Sequence, residues 1–298
     1  ELTRILLINK GLFYIAPNYT VNEGYYYLYR FKKIFHQYQY AWSVVVSANG
    51  KSLSEDVFNQ FDSLSQRLDF ICRAADKVNY FALKWPNNDS QSNTLYHLGY
   101  LIMLITGAFD DLAWILRFIY TLNVSNMQTT LKIPENSRST AFYDQLQSKN
   151  EKLHNFLTND LTQNIIRMFY PTRDALQHRK FVRGLRYHHE QDRVNKNIFN
   201  IPAKTIEWIK VISPNDNGKS YGFICECDDM FCVDAHLFTI KLFEHFADIV
   251  NNTLGNIEWD EYIKDFDDDL VNNLHESKRN FQNGVGTFLH WGREPIYF

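Results

Sequence analysis

The chain has 298 residues, of which 45% are hydrophobic and 16% aromatic, enough to bury a large core and to exclude a disordered or fibrous protein. Its net charge of -3 excludes a surface that coats polyanions in general. The longest apolar stretch, Leu98 to Phe109, is too short to cross a bilayer and runs straight into Asp110 and Asp111. No basic-then-apolar leader precedes the fold, and the first residue is Glu1, which leads us to expect a chain that has lost its initiator or been trimmed.

Residues 1–51 crowd aromatics at Tyr25, Tyr26, Tyr27, Tyr29 and Phe31, and Trp42 to Val46 is β-branched, so strands or an irregular lobe are expected there. From Ser52 the period becomes helical. Ser52-Leu53-Ser54-Glu55 reads as a capping box, and Val57, Phe61, Leu64, Leu68, Ile71, Ala75 and Val78 alternate steps of four and three. Leu95, Leu98, Ile102, Ile105, Phe109, Leu112, Leu116 and Ile119 mark a second stripe that ends near Asn123. Two such helices predict half of an up-and-down bundle. A looser stripe over Phe142, Leu146, Leu153, Leu157, Ile165 and Met168 predicts a third helical region, broken or recapped at Thr158-Asn159-Asp160. Asp110 or Asp111 is expected to pair with Arg117.

Tyr170-Pro171-Thr172-Arg173-Asp174-Ala175-Leu176-Gln177-His178 then sets an arginine, a carboxylate and an imidazole close together. Pro171 is expected to end the preceding helix, Thr172 to cap a new one, and Gly184 to close it in a left-handed conformation. Asp174 and His178, four residues apart, would share a face, with Arg173 free in an exposed first turn. Between Arg167 and Lys196, eight Lys or Arg face three acids. That surplus reads either as a solvated face or as a surface for an RNA backbone.

The hexad RDALQH at 173–178 resembles the signature of the HEPN superfamily (higher eukaryotes and prokaryotes nucleotide-binding), which is Arg, a polar residue, three variable residues, then His. The resemblance implies a mainly α, up-and-down helical bundle over about 52–255. It also implies a homodimer whose composite site cleaves RNA without metal or cofactor, in prokaryotic defence or growth arrest as a toxin. Arg173, Asp174 and His178 carry the functional positions, with Gln177, Arg179, Lys180, Arg183 and Arg186 as RNA contacts. Lys180 stands where some relatives have a tyrosine modified by a partner nucleotidyltransferase, so that arrangement is not implied. A non-catalytic RNA- or nucleotide-binding module and a protein-interaction scaffold are the alternatives, and a regulatory protein partner is compatible with each.

After Gly184 the pattern predicts a β insertion over about 185–233: a strand at Thr205 to Ile212, then a hairpin of Tyr221 to Cys227 and Met230 to Val233. In that hairpin Cys225 and Cys232 would sit opposite each other as small apolar residues. Cys225, Cys227, Cys232 and His236 are four conceivable zinc ligands, but their spacing lacks a Cys-x2-Cys knuckle, so no metal is expected. His188-His189-Glu190 with Asp192 is read as a surface loop rather than a metal cluster. A last helix is expected from the cap Asp234 to Gly255, followed by an acidic extension over 256–298. Four cysteines, Cys72 far from Cys225, Cys227 and Cys232, do not make a secreted disulfide framework, so a reducing cytoplasm is expected.

Overall fold

A computed structural model describes residues 5–8, 11–14, 26–27, 30–178, 183–189, 194–227 and 230–275; for 5–8, 11–14, 178, 186–189, 194–195, 225–227 and 230 this extends to the backbone alone. The protein is mainly helical, with a four-stranded antiparallel sheet late in the chain. A short hairpin comes first, β1 (Ile5–Ile8) against β2 (Gly11–Tyr14).

Next is α1 (Tyr38–Ala48), where strands were expected. Its buried residues Tyr38, Ala41, Val44, Val45 and Ala48 recur at helical spacing. Packing along that stripe overrides the β preference of the Val44 to Val46 run, and Trp42 stacks between Tyr38 and Phe58.

The two long helices α2 (Glu55–Ala82) and α3 (Asn88–Ile119) form the expected antiparallel pair. Leu68, Ile71, Leu98, Ile102, Ile105 and Leu112 are all buried between them and their neighbours. The expected capping box at Ser52 is absent: Ser54 is the N-cap and makes no side-chain cap bond, while Ser52 donates its hydroxyl to the Tyr262 carbonyl. A capping box does open α3, where Asn87 Oδ1 accepts from the Ser90 N–H at 2.8 Å and Ser90 Oγ accepts from the Asn87 N–H at 3.0 Å.

Two short helices, α4 (Ala141–Lys149) and α5 (Glu151–Thr158), lead into α6 (Asp160–His178). The break expected at 158–160 is present, and Asn159 caps α6 through the Thr162 N–H at 2.8 Å. Helix α8 (Ala235–Gly255) runs from the expected cap, Asp234, whose carboxylate accepts from the His236 and Leu237 N–H groups. Phe109 of α3 meets Phe169 of α6 and Phe246 of α8 edge to face, at 5.5 and 5.6 Å between ring centres, so one aromatic contact ties three bundle helices together.

The sheet order is β3-β4-β6-β5, with β3 (Gly184–His189), β4 (Val194–Ile201), β5 (Phe223–Cys227) and β6 (Met230–Asp234). It interrupts the bundle where a β insertion was expected, with two departures. Thr205 to Ile212 is helical, as α7 (Ala203–Ile212), because Thr205, Ile206 and Ile209 bury a helical stripe against α6 and the core. Gly184 begins β3 instead of capping a helix; a Cβ there would lie 2.5 Å from Gln91 Cγ and 2.9 Å from Leu95 Cδ1, so its role is the close approach of β3 to α3.

Beyond α8 the chain does not leave the core at once. Trp259 and Ile263 are buried, and the indole donates to the Leu254 carbonyl at 2.8 Å. The acidic residues Asp260, Glu261, Asp265 and Asp267 to Asp269 are exposed. Among the described residues no helix is long and apolar enough to cross a membrane.

Candidate functional site

Helix α6 is divided between anchoring and display. Ile165, Ile166, Met168, Phe169, Tyr170 and Thr172 are buried, whereas Arg173 and Asp174 are half-exposed and Gln177 is exposed. Pro171 lies inside the helix rather than at its end. The missing N–H costs one backbone bond, but the flanking residues hold the helix on both sides. Thr172, expected as a cap, is buried instead, sharing a 2.9 Å hydrogen bond with Thr205 of α7. Arg173 therefore stands well inside a fixed helix, and His178 is its last residue.

This moves the electrostatics. A helix start would offer a phosphate its free N–H groups, but a helix end carries partial negative charge, so any anion affinity here comes from side chains. Arg173 Nη1 lies 3.8 Å from Asp174 Oδ1, and its guanidinium sits 5.6 Å from the centre of the Tyr170 ring. The ion pair is loose and partly solvated, so it contributes little to stability and, among the described residues, leaves most donors of the fork unused.

Asp110 of α3 completes the polar edge. Its carboxyl is raised above the ordinary carboxylate range by loss of water on one side, against the pull of Arg173. Asp111 turns inward: it accepts from Arg67 Nε at 2.7 Å and Gln60 Nε2 at 2.8 Å. The expected pair with Arg117 is also absent, since Arg117 donates to Asn126 Oδ1 at 2.9 Å and covers the Trp114 ring. Asp110, next to the buried Phe109 and Asp111, is exposed.

The remaining expected contacts are less converged. Positions 174 and 178 are one helical turn apart, but the orientation of the His178 imidazole by Asp174 lies outside the described side chains. Arg179 and Lys180 lie outside the described residues altogether. Arg183 is exposed and its N–H donates to Asn200 Oδ1, while Arg186 has its backbone in β3 opposite Asn197. His188 and His189 belong by their backbone to β3 rather than to a loop, paired with Asn195 and Val194, and Glu190 and Asp192 lie outside the described residues.

In the β5-β6 hairpin Cys225 is opposite Cys232, as the alternation required, and Cys232 is buried. His236 Nδ1 is 2.9 Å from Asn79 Oδ1, which commits that ring to α2. Among the described residues no group of three metal-ligating side chains is assembled.

The structure also brings up groups that no motif announced. Lys132 Nζ lies 4.5 Å from the centre of the Tyr170 ring, and Arg167 and Lys204 lie 5.6 and 5.1 Å from the Trp208 ring. They come from the 129–135 loop, α6 and α7, and Lys132 shares the Tyr170 ring with Arg173. The loop is held tightly: Gln163 of α6, itself buried, accepts from the Ile133 N–H at 2.9 Å and donates to the Leu131 carbonyl at 3.0 Å.

In comparisons with family models, curated proteins and solved structures, nothing matches the chain. The functional reading therefore rests on the residues and their geometry.

Proposed function

We propose that the protein is a metal-independent RNA endonuclease of the HEPN type, active as a homodimer. One observation carries the reading: α6 is locked into the core by Phe169, Tyr170 and Thr172, yet it holds Arg173 with most of its guanidinium donors uncommitted at the solvent edge. A fixed cation of this kind is what a phosphorane transition state requires.

Arg173 and His178 are about 140° apart around a helix and about 7.5 Å apart along it. One copy of α6 thus converges them poorly, whereas two facing copies set one subunit's arginine beside the other's histidine. In the reaction a base takes the proton of the 2′-hydroxyl, the 2′-oxygen attacks phosphorus, and the bond to the 5′-oxygen breaks as an acid protonates that oxygen. Histidine serves either proton transfer and Arg173 offsets the added phosphorane charge. The products are a 2′,3′-cyclic phosphate and a 5′-hydroxyl. Gln177, Arg179, Lys180, Arg183 and Arg186 supply further contacts to RNA, and we assign the protein to the cytoplasm, in defence or growth arrest under the control of a partner protein.

The experiment is cleavage of single-stranded RNA in EDTA by wild type, Arg173→Ala and His178→Ala. Both variants should fold and lose cleavage. A second reading follows from the same helix: a single copy of α6 sets Arg173 and position 178 about 140° apart, so a chain that does not pair keeps Arg173 as an RNA contact without an assembled site. On that reading the protein is a binding module: wild type leaves RNA intact, and Arg173→Ala weakens binding alone.

A further inference from the structure

Lys132 and Arg167 flank the candidate site on the side away from His178. Each is half-buried and each lies over an aromatic ring, Tyr170 for Lys132 and Trp208 for Arg167. Arg167 is fixed further by donating Nε to the Ile133 carbonyl at 3.0 Å, one residue from Lys132 in the chain. Among the described residues neither makes an ion pair with a carboxylate. The nearby acids are committed elsewhere, since Glu135 and Glu207 both lie 3.1 Å from Lys204 Nζ. Two cations held against rings, with their charge unspent, are arranged for an anion from outside the protein.

Tyr170 links this pair to the candidate site. The one ring carries Lys132 and Arg173, and Arg167 lies three residues before Tyr170 on α6, close to one helical turn. The cations therefore form a track that runs from Arg173 toward the 129–135 loop and α7. Asp174 and Asp110 beside Arg173 interrupt the positive potential at one end only.

We propose that Lys132 and Arg167 hold a backbone phosphate of the same RNA strand whose scissile phosphate is bound by Arg173, so that the strand leaves the site along α7. This rests on the RNA-cleaving reading for the identity of the strand, but it is read out by binding alone. Phosphate contacts of this type position a strand without reading its sequence.

The test uses the full chain and a labelled single-stranded RNA with 2′-O-methyl groups, which cannot be cut, titrated by fluorescence anisotropy at several salt concentrations. Lys132→Gln and Arg167→Gln keep their stems over the rings, and thermal melting checks the fold. The double variant should bind several-fold more weakly at low salt, and the log-log salt slope should fall by about 0.7, the value for one phosphate contact on a single strand. Lys132→Arg should keep the wild-type slope. A folded double variant with wild-type affinity and slope would overturn the proposal. So would loss of inorganic phosphate binding in the double variant with RNA binding unaffected, since the site would then serve a free anion. Failure of wild type to cut unmodified RNA, with this slope change intact, would count against the nuclease alone.

Discussion

The α2–α3 pair and the C-terminal half of α6 are both helical and both touch the same core, yet they use their residues in opposite ways. In α2 and α3 the buried stripe is nearly continuous and the two buried charges on it are paired, Asp76 with Arg30 and Asp111 with Arg67, the latter also accepting a hydrogen bond from Gln60. Gly107 is part of that arrangement, because a Cβ would meet Arg67 Nη1 at 2.2 Å where the guanidinium crosses α3. From Tyr170 onward, α6 keeps only Tyr170 and Thr172 fully buried and turns its charges outward. The difference separates residues that hold the fold from residues that the fold holds.

That contrast is broken most severely by a cavity in the core. Phe109→Ala removes the ring shared by Phe169 and Phe246 and should cost about 3–5 kcal/mol, measured by urea unfolding. Asp111→Ala should cost about 2–3 kcal/mol, below the usual range for a buried pair because Arg67 keeps some access to water. Thr172→Val leaves the Thr205 hydroxyl buried without its partner and should cost about 1–2 kcal/mol. Arg173→Ala should change stability by less than about 0.5 kcal/mol, although it removes the proposed activity. A loss comparable to that of Thr172→Val would mean that Arg173 belongs to the fold rather than to a site.

A pH titration sharpens the same line. The folded-state pKa of Asp110 lies above its ordinary 3.8, so the folded protein binds more protons than the unfolded chain, and stability falls as pH rises through that interval. Asp110→Asn should flatten this fall while leaving the neutral-pH fold unchanged. An unaltered pH profile would show that Asp110 is solvated and uncoupled from Arg173.

The helical pair and the last helix were legible because their burial follows a 3.6-residue period over many turns, with Asp234 and Gly255 bounding the latter. Short elements were harder. Val44 to Val46 and Thr205 to Ile212 have strand-like composition, but in the folded chain each buries a helical stripe against longer helices, which no local preference reveals. Pro171 misled in a similar way, since its effect depends on Thr172 finding Thr205 across the chain. Of the candidate site, Arg173 and Asp174 were legible as a motif. Asp110 was legible only as a partner for Arg117 and Arg167 only as part of the basic surplus, and Lys132 was not legible at all, because the three meet the site from separate segments.

The central claim is that catalysis requires Arg173 of one subunit and His178 of its partner. Arg173→Ala and His178→Ala should each be inactive alone, and mixing them after subunit exchange should restore cleavage of single-stranded RNA in EDTA, because the heterodimer contains one site with both residues intact. Restored activity approaching one quarter of wild type is expected if exchange is random and each site acts independently, about half the dimers being mixed with one working site each. Cleavage that stays at background in the mixture, with heterodimers verified by mass and wild type active in parallel, would contradict the shared site.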